Sequence, residues 1–308
     1  MDISVIIPTY NPDAANITEG LNSLKTQTLN QSNWELIVVD NNSTNGVLGD
    51  LNLSWHSSSS IIKESRQGLT YSRLCGINYA KGNIIVMVDD DNILATDYLQ
   101  VVLNCFNEHP SLGAAGGKIE GKFNAFTPPD WTKQFWGMLA IRDLGDEAII
   151  SEPPSLLNNY PDFAPVGAGM AVRKGLLNAY IKNITDNSTI ITDRTGDSLS
   201  SGGDNEIVIN VLKQGYSVAY FPELLLKHII PESRLTADYL SRLNYESSKS
   251  WIRLLLKHNI CPWNPIPRWS VGLRKLKSWL SFKAWASPIN YIKWRGSCGV
   301  FDGLTLEK

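Results

Sequence analysis

Three consecutive carboxylates, Asp89-Asp90-Asp91, follow the apolar run from Asn83 to Val88. Adjacent carboxylates repel one another unless a cation or water neutralises them. Hard divalent ions such as Mg²⁺ or Mn²⁺ accept carboxylate oxygens together with phosphate oxygens. The triplet therefore reads either as a metal clamp for a diphosphate or as a solvated acidic turn. Asp40 ends a second apolar run, Trp34 to Val39. It suits a hydrogen bond from a nucleobase N–H, or an Asx turn of the kind Asp and Asn commonly make. In Gly202-Gly203-Asp204-Asn205-Glu206, the glycines permit a backbone that aims Asp204 outward as a general base, while a helix N-cap is the structural alternative. His228 ends a strand-like run and reads as a metal ligand or a satisfied buried imidazole.

The elements that must hold these groups are legible as alternating patterns. Short β-branched runs at 3–7, 34–39 and 83–88 read as buried strands, with a shorter one at 61–62. Helical spacing occupies 13–27, 69–80 and 96–108. Strands alternating with helices predict βαβ units and a mostly parallel sheet, an α/β fold whose ligands bind beyond the carboxyl ends of the strands. Asp40 and Asp89–Asp91 fall on that rim. After residue 120 the alternation decays. A helical stretch near 131–140, a strand at 166–172, a helix at 204–213, strands at 217–221 and 224–229 and a long helix at 236–258 are expected.

In this order the motifs resemble family-2 glycosyltransferases of the GT-A fold, a Rossmann-like nucleotide-binding architecture. The matching stretches are Val5–Asn11, Ile37–Ser43, Gly68 with Ser72-Arg73 and Gly76, Val88–Asn92, Gly167–Arg173, Gly203–Glu206, Gly215-Tyr216, Tyr220–Glu223 and His228. The resemblance spans residues 1 to about 230. It implies a glycosyltransferase domain over 1–230, with a nucleotide-sugar half at 1–120, an acceptor and catalytic half at 121–230, and a helical extension at 231–308. It implies that Pro8, Thr9 and Tyr10 line the nucleotide pocket, that Asp40 binds the base edge and that Arg73 contacts the nucleotide. Asp89 and Asp90 face the donor. Asp91 becomes the main metal ligand and His228 the second. Asp204 becomes the catalytic base. The family often has Glu before that Asp; here Gly203 takes the place, which leaves Glu206 as a second candidate.

The implied reaction is displacement at the anomeric carbon of a nucleotide-sugar, with a UDP-sugar favoured. The acceptor is a hydroxyl of a glycan or a lipid-linked saccharide, as in cell-surface polysaccharide assembly. Mg²⁺ or Mn²⁺ is the expected cofactor. One base and no evident carboxylate nucleophile point to inversion. A sugar nucleotidyltransferase is the first alternative, but it should carry a Gly-rich phosphate loop where this chain reads Thr9-Tyr10-Asn11-Pro12-Asp13. A non-catalytic carbohydrate-binding protein is the second, and retention of Asp91, Asp204 and His228 argues against it. Within 127–165, Trp131 could stack on an acceptor sugar or anchor the segment to the core.

The net charge of -2 over 308 residues argues against a nucleic-acid binder. Residues 227–308 hold 14 Lys+Arg and 5 Asp+Glu; of the chain's 28 and 30, that leaves 14 and 25 for residues 1–226. The front is acidic and suits a cation; the tail is basic and suits an anionic surface. Between 262 and 295 five tryptophans interleave with Lys and Arg, a pattern that fits either a helix at the interface of an anionic membrane or a packed helix with a solvated basic face. Four cysteines without C-x-x-C spacing argue against a disulfide framework or structural zinc. With no signal-peptide pattern and no apolar run of spanning length, the expected location is the cytoplasm, peripheral to the inner face of the cell membrane.

Overall fold

The computed structural model describes residues 1–151, 160–186, 199 and 202–305. In chain order the strands and α-helices are β1 (Ile3–Thr9), α1 (Ala14–Lys25), β2 (Trp34–Asp40), β3 (Ser59–Lys63), α2 (Leu69–Tyr79), β4 (Ile84–Met87), β5 (Asn92–Leu94), α3 (Tyr98–Glu108), β6 (Leu112–Lys122), β7 (Ile149–Ile150), β8 (Ala171–Arg173), α4 (Leu177–Asp186), α5 (Gly203–Lys213), β9 (Ser217–Ile229), α6 (Ala237–Lys257), α7 (Val271–Phe282) and α8 (Pro288–Leu304).

The described chain divides into two compact units. The first comprises Met1–Lys122 and the described parts of Ala140–Ile190 and Gly203–Ile229; the second comprises Phe123–Leu139, Ile230–Lys308 and the intervening stretch 191–202, again as far as described.

The first unit is built on one sheet in the order β3-β2-β1-β4-β8-β6-β9-β5, with β7 pairing β9. The first four strands run parallel, as the βαβ pattern predicts. Beyond β4 the sheet becomes mixed: β8 lies antiparallel to β4 and β6, β5 and β7 lie antiparallel to β9, and β6 runs parallel to β9. The strand residues alternate between two apolar layers. Ile3, Val5, Ile7, Leu36, Val38 and Val86 pack with Ile17, Leu21 and Leu24 of α1 and Leu99 and Val102 of α3. Ile6, Ile37, Val39, Ile85 and Met87 pack with Leu74 and Ile77 of α2, Leu177 and Tyr180 of α4 and Ile207 and Val211 of α5. Burial on both faces is why the parallel strands read as continuous apolar runs rather than as alternation. Asp13 caps α1 by accepting from the Ala15 and Asn16 amides at 3.0 Å each.

Several boundaries differ from the sequence expectation. β6 was not foreseen: its sequence, Leu-Gly-Ala-Ala-Gly-Gly-Lys-Ile-Glu-Gly-Lys, is too rich in glycine to carry a strand signal. The strand expected over 166–172 shortens to Ala171–Arg173, because Gly167–Met170 forms a turn. The two strands expected at 217–221 and 224–229 are one continuous β9. The helical stretch near 131–140 is a 3₁₀ segment, Asp130–Leu139.

In the second unit α6 and α8 pack together, joined by Asn244 Nδ2 donating to the Ile292 carbonyl at 2.9 Å and Tyr245 Oη donating to Asp302 at 2.5 Å. α7 lies on α8 through the Lys275–Asp302 ion pair at 2.7 Å. No helix among the described residues is long and apolar enough to cross a membrane.

Candidate active site

The site lies in the first unit, where β1, β2 and β4 end side by side. The parallel register sets Thr9 beside Asp40. Thr9 is buried, and its hydroxyl donates to an Asp90 carboxylate oxygen across the β1–β4 boundary. Pro8 is buried within β1, whereas Tyr10, just past the strand, is 46 % exposed. Asp40 accepts the Ser43 amide on Oδ1 at 2.7 Å, so the turn-forming role is realised. Among the described residues its second oxygen accepts no bond. The left-handed Asn11 (φ 48°) draws the loops after β1 and β2 together, accepting from the Thr44 and Asn45 amides.

The Asp89–Asp91 triplet splits into three environments. Asp89 is held by its backbone, its amide donating to Asn92 Oδ1 at 3.1 Å. Asp90 turns to Thr9. Asp91 is buried and directed at His228, with Oδ2 3.3 Å from Nε2. Asn92, fully buried, donates to the other Asp91 oxygen at 3.1 Å. The antiparallel pairing of β5 with β9 makes Asn92 the register partner of His228. The Ile229 amide also donates to the Asp91 carbonyl at 2.9 Å. Sequence reading proposed both Asp91 and His228 but missed Asn92, which bonds Asp91 and is the register partner of His228; its position directly after the triplet was the available signal.

A carboxylate oxygen and an imidazole nitrogen at this spacing fit one divalent cation. Ligand atoms on adjacent vertices of an octahedral ion, with bonds of about 2.1 Å, stand about 3 Å apart, close to the observed separation. No cluster of three or more His, Cys, Asp or Glu forms among the described residues. An ion here would complete its shell with water and ligand oxygens, the usual arrangement for Mg²⁺ at a phosphate site.

Asp204 sits in the first turn of α5 rather than at its N-cap, since the helix begins at Gly203. Its carboxylate accepts the Gly167 amide at 3.0 Å and the Asn205 amide at 2.9 Å. A carboxylate offers about four lone-pair sites, so acceptor capacity remains. Gly167 also approaches the buried Arg73 so closely that a Cβ there would stand 2.8 Å from Arg73 Nη2 and 3.6 Å from Asp204. Arg73 and Asp204 thus flank one backbone segment. That segment is anchored to the end of β4: the Gly169 amide donates to the Met87 carbonyl at 2.9 Å, and Tyr98 Oη donates to the Gly169 carbonyl at 2.7 Å. Asp89–Asp91 leave from the same strand end. Tyr160 donates to Asn205 Oδ1 at 2.6 Å, and burial, followed by the nearby Asp204 charge, holds its phenol well above the usual range. Glu206 is buried.

The loop that positions α2 is tied by Asn41. Its side-chain amide donates to the Glu64 and Arg66 carbonyls at 3.1 and 2.7 Å, and its oxygen accepts the Gly68 amide at 2.8 Å. This role was not read from sequence, where Asn41 appears only as a turn residue. Trp131 belongs to the second unit, where its ring lies edge-on to Phe135 at 6.5 Å.

Comparison with known proteins agrees with this architecture. The mannosyltransferase PcManGT from Pyrobaculum calidifontis, solved in complex with GDP-Man and Mn²⁺, superposes with a TM-score of 0.57 at 18% identity, covering 96% of this chain and 72% of that one. S. aureus TarS 1-349 in complex with UDP-GlcNAc gives 0.52 at 18% identity, over 96% and 91%. The fold is GT-A. By sequence, the glucosyl-dolichyl phosphate glucuronosyltransferase of Haloferax volcanii is 22% identical over 78% of this chain and 73% of its own length. An uncharacterized Sinorhizobium fredii protein, y4gI, is 29% identical over 49% of this chain, and the match spans only 18% of that longer protein. The model of the family described as "Glycosyl transferase family 2" matches residues 4–166, just over half of the 308-residue chain, and the protein therefore belongs to that family.

Proposed function

We propose that this glycosyltransferase moves a sugar from a nucleoside-diphosphate-sugar, with UDP as the favoured nucleotide, to a hydroxyl of a glycan or lipid-linked saccharide. Cell-surface polysaccharide assembly is the setting this reading favours. The observation that carries it is the buried Asp91–His228 pair on the rim where Asp40 and Asp204 are also held. Solved relatives of the same fold are complexes with UDP-GlcNAc and with GDP-Man and Mn²⁺. We assign donor binding to residues 1–120, acceptor binding and catalysis to 121–230, and a separate role to the helices after 230.

In this reading Asp40 receives the base edge, the Pro8-Thr9-Tyr10 strand end lines the nucleotide pocket, and Arg73 meets the nucleotide. Thr9 fixes the Asp90 carboxylate, so that Asp89 and Asp90 face the donor in a set orientation. Asp91 and His228 would hold Mg²⁺ or Mn²⁺. When bound, that ion supplies Lewis-acid neutralisation of the charge gathering on the diphosphate. Asp204 accepts the proton of the attacking hydroxyl, and the Gly167 amide keeps its carboxylate in place meanwhile. A positioned base contributes roughly 10²–10⁴-fold, or about 3–5 kcal/mol of barrier. The acceptor hydroxyl, deprotonated by this one base, attacks the anomeric carbon from the face opposite the diphosphate and displaces the nucleoside diphosphate, which gives inversion.

The test is a donor screen by nucleotide release, run with and without EDTA, with the anomeric configuration of the product read by NMR. Metal-independent release, or retention of configuration, would contradict the corresponding part of the reading. No release from any nucleotide-sugar would contradict the whole.

A further inference from the structure

The second unit carries an inverted amphipathic helix. Trp269, Leu273, Leu276 and Leu280 are spaced by four, three and four residues, which places them on one face over three helical turns. Trp269 belongs to the short 3₁₀ turn that leads directly into α7. Their exposures are 77, 65, 57 and 55 %. A helix docked on a globular body ordinarily turns its apolar stripe inward. Here the half-buried side carries Lys275 and Ser278 beside Val271 and Trp279, and the leucines face away from it. Lys275 pairs with Asp302, the Lys275 carbonyl accepts from Trp294 Nε1 at 3.1 Å, and Ser297 donates to Ser278 at 3.3 Å. α7 buries none of its residues. Just beyond it Trp285, 58 % exposed, lies against Trp279 with ring centroids 4.5 Å apart and the planes tilted by 45°, and widens the apolar surface.

Charge selects the occupant. Between Glu246 and Asp302 the chain has no acidic residue and ten Lys or Arg. Arg268, Arg274, Lys277 and Lys283 are exposed around the stripe. Neither Lys277 nor Lys283 makes an ion pair among the described residues. A second copy seated on this face would bring like charges together, a cost that apolar contact must first overcome. An anionic bilayer offers an apolar interior for the leucines, an interfacial zone for tryptophan, and phosphates for the cations.

We propose that the outward face of α7 docks on an anionic phospholipid surface, with Trp269, Leu273, Leu276 and Leu280 in the interface and the flanking cations on lipid phosphates. The sequence pattern over 262–295 fits a membrane-interface helix or a packed helix equally and counts all five of its tryptophans. The structure narrows the face, because Trp279 and Trp294 are half-buried. The inference does not depend on which sugar is transferred.

The test is co-sedimentation of the full chain with vesicles of phosphatidylcholine, alone or with about one-third phosphatidylglycerol. The expected result is partition onto the anionic vesicles at least tenfold stronger than onto neutral ones, with each cation worth about fivefold, and loss of most of it at about 0.5 M salt. The double variant Leu276→Asp/Leu280→Asp should lose about tenfold or more at unchanged Tm, since both side chains are exposed. Lys277→Glu/Lys283→Glu should lose binding to anionic vesicles only. Equal partition of the wild type and both variants would overturn the proposal. So would a concentration-dependent dimer that the leucine variant abolishes while no vesicle binding is seen. Nucleotide release without vesicles, measured on the same proteins, separates the two readings. A chain that sediments with anionic vesicles but turns over no donor sinks the transfer reaction and sustains the docking face.

Discussion

Asp91 and His228 come within 3.3 Å because Asn92, the next residue after Asp91, is the register partner of His228 across β5 and β9. Two side chains 137 positions apart in the sequence are thereby set by one backbone pairing, and Asn92 donates to the other Asp91 oxygen.

That geometry predicts a shared ligand role. Asp91→Asn and His228→Asn should each weaken Mn²⁺ binding to the nucleotide-loaded protein by at least 10–100-fold, the range seen even for partners one step removed from a metal. Calorimetric titration of Mn²⁺ with UDP present checks this. If only one of the two variants responds, the pair does not bind a common ion.

For the base, Asp204→Asn keeps an oxygen that can accept the Gly167 amide and so preserves the local bonds. Turnover should fall about 10²–10⁴-fold with donor affinity little changed. Glu206→Gln is the paired control. If Glu206→Gln abolishes turnover while Asp204→Asn stays near wild type, the proton goes to Glu206.

The two glycines of the Gly167–Gly169 turn should behave differently. Gly169 has φ +76°, and a Cβ there would meet Leu226 and Tyr98 Oη at 2.5 Å each. Tyr98 Oη is fixed by its own hydrogen bond. Gly169→Ala should therefore cost about 2–5 kcal/mol, combining left-handed strain with overpacking. At Gly167 the close atom is the far end of the Arg73 side chain, 2.8 Å away, with no unusual φ. Gly167→Ala should fold with nearly the wild-type Tm but bind UDP several-fold more weakly, because Arg73 must move. Urea melts and a UDP titration distinguish the two; equal destabilisation would contradict this account.

The parallel half of the sheet was legible because its strands are buried on both faces and bounded by helices of clear period, so Ile3–Thr9 and Trp34–Asp40 could be placed within a residue or two. The second half was not, for a physical reason. β6 gains its place from backbone pairing with β8 and β9, and its glycines report nothing in a propensity scan. The carboxylates could be picked from their positions at strand ends. What they bond could not, since Thr9 with Asp90, Gly167 with Asp204 and Asn92 with Asp91 are products of register. The outward stripe of α7 was hidden similarly: its spacing is that of an ordinary core-facing helix, and only the packing of Lys275 and Ser278 on α8 shows which way it turns.

A last prediction concerns pH and lies away from the chemistry. His56 is buried, its ring edge-on to Trp34 at 4.1 Å, with Nδ1 accepting the Ser58 amide at 3.2 Å. Among the described residues Nε2 finds no partner. Burial therefore lowers its pKa below the ordinary value of 6.5. Between the folded value and 6.5 the unfolded chain binds more protons, so stability rises with pH there. The contribution is complete above about pH 6.5 and is lost as pH falls toward the folded value, with a slope of at most about 1.4 kcal/mol per pH unit. His56→Gln keeps an acceptor for the Ser58 amide but removes the titration. The stability difference between wild type and this variant, from urea melts at several values between about pH 5 and 7.5, should shrink as the solution is acidified. A difference that stays constant over that range would show that the imidazole protonates equally well in the folded and unfolded chains, and the buried-neutral assignment would be wrong.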